Sequence, residues 1–120
     1  MSGYGYTGGF WWSRRFNPHK IWLESAFRVF IIKRGIDKAG SINRLGRELG
    51  YRSRVHPGWN IRQILIGERP FTMERLEKLA NYLEYPVSEM LKYNIERERI
   101  TVRSTEMALK ENGIFYYLLR

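Results

Sequence analysis

A chain of 120 residues is one domain by size, and a hydrophobic content of 43% is ordinary for a globular protein and too high for a disordered one. Its 21 Lys and Arg stand against 12 Asp and Glu, which gives a net charge of +9 and a surface that favours polyanions. The lack of cysteine excludes disulfides, thiolate catalysis and cysteine-ligated zinc, and no apolar run approaches a signal-peptide core or a membrane span, so the chain reads as soluble and cytoplasmic.

Residues 1–16, MSGYGYTGGFWWSRRF, mix glycines with aromatics and show no helical period. Two readings stay open for this arm. Phe10, Trp11, Trp12 and Phe16 fold back onto the rest of the chain, or Arg14 and Arg15 meet phosphates while an aromatic packs on sugar or base. Asn17-Pro18 then reads as a helix start, Asn as cap and Pro at the first helical position. Ile21, Trp22, Ala26, Phe27, Val29, Phe30 and Ile31 cover most of the circumference of a central helix running to about Gly35, with Lys33 and Arg34 at its C-terminal end. Ile36 to Gly40 is expected to be a linker, and Ser41 to cap the next helix.

Ile42, Leu45 and Leu49 recur at helical spacing before Gly50, a residue that commonly ends a helix. A polar loop follows. Ile61, Ile64 and Leu65 form the next apolar stripe, closed by Gly67 ahead of the turn Glu68-Arg69-Pro70. Thr72 can cap a third helix whose Met73, Leu76, Leu79, Ala80 and Leu83 share one broad face, and Pro86-Val87-Ser88 opens a last short turn carrying Met90 and Leu91. Helices this short bury their stripes only against one another.

After Leu91 the pattern changes. Ile100 and Val102 alternate with polar residues over Arg99 to Arg103, which predicts a strand, and Ile114 to Leu119 is a second, aromatic-rich strand candidate. Between them Ser104 as cap and Gly113 as stop suggest a short helix, while Asn112-Gly113 fits equally the turn of a β-hairpin.

In order and spacing, RLGRELG at 44–50, IRQILIGERP at 61–70 and RLEKLANYLEYPVSEML at 75–91 resemble the helix-turn-helix domain of the Cro/C1-type repressor family. The likeness covers about half the chain. Gly46 departs from it, standing where the family usually has alanine, and Tyr51 to His56 makes the loop between the paired helices longer than usual. The fold it implies is mainly α: a lambda-repressor-like bundle of about five helices, with an arm at 1–16, the helix-turn-helix domain at 17–94 and a small α/β or β-hairpin extension at 95–120.

In that family the second helix of the pair enters the major groove and the first crosses the backbone. The resemblance therefore implies base contacts from Gly58, Trp59, Asn60, Arg62 and Gln63, with Ile61 and Ile64 buried. Asn and Gln suit the N6/N7 edge of adenine, and Arg the O6/N7 edge of guanine. Trp59 has an equal alternative as a core residue. Arg44, Arg47, Arg52, Arg54 and Arg69, with Arg14 and Arg15, are expected on phosphates. The charge agrees, since residues 41–70 carry six Arg against two Glu, whereas residues 71–94 carry three Lys and Arg against four Glu.

His19 and His56 have no second ligand at a metal spacing, and glycine-rich residues 3–9 lack the lysine and flanking elements of a phosphate loop, so no catalysis, cofactor or metal is expected. The leading expectation is a double-stranded DNA-binding transcriptional regulator in the nucleoid. Alternatives are a non-specific nucleic-acid or chromatin protein, an RNA-binding accessory domain, and the DNA anchor of a nuclease or recombinase. A homodimer through 95–120, or a monomer whose extension covers its own first helix, completes the expectation. No small-ligand pocket is evident from the sequence.

Overall fold

The structure, a computed structural model, describes residues 16–114, so Arg14, Arg15, the other arm residues before Phe16, and the strand candidate beyond Ile114 lie outside the described residues. What is described is mainly helical. Six α-helices occur among these residues: α1 (Ser25–Ala39), α2 (Ile42–Glu48), α3 (Trp59–Leu65), α4 (Met73–Leu83), α5 (Val87–Leu91) and α6 (Val102–Glu111), with a 3-10 turn at Arg97–Arg99 before the last. None is long and apolar enough to cross a membrane.

The helix ends between residues 41 and 91 form where their sequence signals stand. The Ser41 hydroxyl accepts from Arg44 N, the Thr72 hydroxyl accepts from Arg75 N, and Pro86 opens α5. Leu45, Leu49, Ile61, Ile64, Leu65, Leu76, Leu79, Met90 and Leu91 are all buried in one core with Ile31 and Ile32 of α1.

The first helix is a correction. Asn17-Pro18 starts no helix: the Asn17 carboxamide accepts from His19 N and its carbonyl from Lys20 N, closing a turn. Residues 21–24 then run extended. Ile21 exchanges both backbone hydrogen bonds with Phe71 at 2.9 Å, Ile95 N donates to Trp22 O at 2.8 Å, and Glu24 N donates to Tyr93 O at 2.8 Å. Ile21 and Leu23 are buried while Trp22 is half-buried, an alternation of period two that a helical reading of so short a stretch absorbs. The cap of α1 is Glu24, whose carboxylate accepts from Phe27 N at 2.9 Å. Gly35 lies inside α1, and the expected linker 36–40 is its last turn and its C-cap, Gly40. A Cβ at Gly35 would stand 3.0 Å from both Leu45 methyls, so the glycine serves the approach of α2. Lys33 and Arg34 are thus mid-helix, Lys33 pairing with Asp37 at 2.7 Å.

The strand expected at 99–103 is also absent. The Thr101 hydroxyl accepts from Ser104 N while the Ser104 hydroxyl accepts from Thr101 N, a reciprocal capping box that starts α6 three residues before the expected cap. Ile114 N donates to Leu109 O at 2.8 Å around Gly113, whose φ is +70°, so Asn112-Gly113 ends a helix rather than turning a hairpin.

Helix α6 packs on α1, adding Ala108 and Leu109 to the core, and a polar cluster ties the two helices together. The Ser25 and Ser104 hydroxyls stand 2.8 Å apart, and beside them Arg28 is 2% exposed. Its Nη1 donates to Leu23 O at 2.8 Å, its Nη2 to the Thr105 hydroxyl at 2.8 Å, and its Nε to Leu65 O at 3.3 Å. Burial lowers its pKa to about 10, with the Glu24 carboxylate opposing, so the guanidinium is charged at neutral pH. Arg28→Met would keep most of the volume and strand three acceptors, so urea unfolding should show a loss of about 2–5 kcal/mol. Arg28→Lys should recover only part of it, because an ammonium cannot span the fork.

Candidate nucleic-acid interface

Helices α2 and α3 meet through two residues without side chains. A Cβ at Gly46 would stand 2.1 Å from the Pro57 carbonyl oxygen, and one at Gly58 would stand 2.8 Å from the Ile42 carbonyl oxygen. Gly58 N also donates to the Asn43 carboxamide at 2.9 Å. The end of the loop between α2 and α3 is therefore fastened to α2, and its middle is open to solvent: Arg52, Ser53, Arg54, Val55 and His56 are all exposed. At its start, Arg75 donates to Leu49 O at 2.7 Å and lies 4.5 Å over the Tyr51 ring. Burial raises the Tyr51 pKa, with Arg75 and Arg69 opposing.

From this anchorage α3 divides by face. Ile61, Ile64 and Leu65 are buried, whereas Trp59 is 51% exposed and Asn60, Arg62 and Gln63 are half-buried. Of the two readings of Trp59, the core one fails. The Arg62 guanidinium lies 5.3 Å over its indole, and Arg69 Nη1 donates to the Asn60 carboxamide oxygen at 2.7 Å. The Gln63 carbonyl accepts from both Glu68 N and Arg69 N, which folds the turn after α3 back beside the helix.

Four of the five residues expected on base edges are thus at least partly exposed on α3. Gly58 is different. It is buried under α2, so its missing side chain serves contact between helices rather than approach to a groove. Arg44, Arg47, Arg52, Arg54 and Arg69 are exposed, and the ion pairs among the described residues, Lys33–Asp37, Glu74–Arg75 and Glu89–Lys92, involve none of them. Arg69 Nη1 is held by Asn60, and all five side chains are exposed to solvent, where an anion can reach them.

Sequence reasoning missed Asn43, Arg75 and Arg28. An arginine within the most apolar helix was a signal for Arg28; Asn43 and Arg75 carried none beyond their polarity. Among the described residues, no group of three or more His, Asp and Glu could hold a metal ion. No protein-family model, curated protein or solved structure matches the chain.

At Gly46, helix propensity and contact oppose each other. Alanine would gain about 1 kcal/mol as a helix former. Its methyl would meet backbone that cannot rotate away, so Gly46→Ala should be destabilising by about 1–3 kcal/mol net in a urea titration.

Proposed function

We propose that the chain is a double-stranded DNA-binding protein, a transcriptional regulator of the Cro/C1 helix-turn-helix type acting at the nucleoid, with α2 and α3 as the paired helices. The observation that carries the reading is the outer face of α3. Asn60, Arg62 and Gln63 stand together there, on a helix whose other face is locked in the core, beside exposed arginines of α2, the loop and the following turn. Amide and guanidinium groups on one short helix match the donor and acceptor pattern of base edges in a major groove. The surrounding Arg44, Arg47, Arg52, Arg54 and Arg69 suit phosphates, which give affinity and register without sequence information. The sequence resemblance supports the same assignment, and the lengthened loop adds two arginines beside the reading helix.

A second reading rests on Trp59. An indole half in water with a guanidinium over it is also a stacking platform for single-stranded bases. Selection from random duplex and random single-stranded pools separates the two. Under the duplex reading one double-stranded sequence is enriched, and Arg62→Ala and Gln63→Ala each lose about 1–3 kcal/mol on it with unchanged melting temperature. An equal loss on random duplex would move both residues to the phosphates, and enrichment of single strands alone would overturn the reading.

A further inference from the structure

Beside the end of α3, between residues 18–19 and the turn leading into α4, lies an open cleft of about 480 Å³. That is within the size of roughly 300–1,000 Å³ usual for small-ligand sites, and far more than one phosphate group fills. Its lining separates by chemistry. Pro18, Pro70, Met73 and Tyr51 offer apolar and aromatic surface; Arg69 and His19 offer N–H donors.

The charges in the cleft are not equivalent. Arg75 is engaged by Leu49 O and by the Tyr51 ring, and Glu74, 72% exposed, sits 3.8 Å from Arg75 and offsets it. Arg69 is differently placed. One of its Nη1 hydrogens is held by Asn60 at 2.7 Å, which fixes the guanidinium while leaving the rest of a five-donor fork for a ligand. A donor held in place before the ligand arrives loses less freedom on binding.

We propose that this cleft binds a small aromatic phosphate of nucleoside monophosphate size, its ring against Tyr51, Pro18, Pro70 and Met73 and its phosphate on Arg69 and His19. Asn60 is then a positioning residue for Arg69. Arg69 and Asn60 are shared with the face proposed for DNA, but the ring subsite is not, since a backbone phosphate brings no ring into the cleft.

Calorimetric titration of the full chain with adenosine monophosphate, adenosine and inorganic phosphate tests it. The nucleotide should bind at least about tenfold more tightly than either part, because charge-assisted contacts and ring burial act together. Arg69→Gln, at an exposed position, should weaken it by about tenfold with an unchanged melting curve, and Asn60→Ala by a smaller factor. Lys110→Gln removes the same charge outside the cleft and should leave it unchanged. Nucleotide binding no tighter than phosphate alone would remove the ring subsite, and equal losses in Arg69→Gln and Lys110→Gln would reduce the effect to diffuse charge; either result overturns the proposal. A protein that binds the nucleotide but selects no duplex would retain this site and lose the DNA reading.

Discussion

The guanidinium of Arg28 is where the separate parts of the chain are tied together. It rises from α1 and donates to Leu23 before that helix, to Leu65 at the end of α3 and to Thr105 on α6. Taking a full charge out of water is costly, and it is tolerated because the guanidinium donates to acceptors on three buried residues. A carbonyl at a helix C-terminus, where the dipole is negative, is a favourable partner for a cation. The end of α3 is thus held on α1, and α6 is fastened to the same point.

If Arg28 holds one end of α3, Gly46 and Gly58 hold the other. With backbone against backbone at the α2 contact, neither helix can slide or roll without collision. That rigidity gives the outer face of α3 its value. Asn60, Arg62 and Gln63 stand on the outer side of a helix whose position is fixed by the glycine contacts with α2 and by the buried Ile61, Ile64 and Leu65. The loop between α2 and α3 is held at both ends, by Arg75 over Tyr51 at its start and by the close contact of Pro57-Gly58 with α2 at its end, and residues 52–56 are exposed between them.

Much of this was legible wherever a local signal and burial agreed. Ser41 and Thr72 cap as their side chains allow, and Ile61, Ile64 and Leu65 mark the buried side of α3, leaving its polar residues to the outside. Reading failed where a tertiary partner decided between two local choices. Residues 21–24 became extended because Phe71, Tyr93 and Ile95 offered backbone partners, and Ile100 to Val102 became a helix start because Ser104 answered Thr101. Gly35 looked like a stop because its use, room for Leu45, depends on a neighbour. The cleft by Arg69 had no sequence signal at all, since it is assembled from residues 18–19, 51 and 69–75.

The outer face of α3 is proposed to read base edges in the major groove of a duplex. Methylation interference on a duplex selected by the protein addresses it directly, because guanine N7 lies in the major groove and adenine N3 in the minor. N7 methylation at one or two guanines should abolish binding in the wild type and matter less in Arg62→Ala, with N3 methylation tolerated. Binding indifferent to N7 methylation throughout the site, or the absence of any preferred duplex, would contradict it.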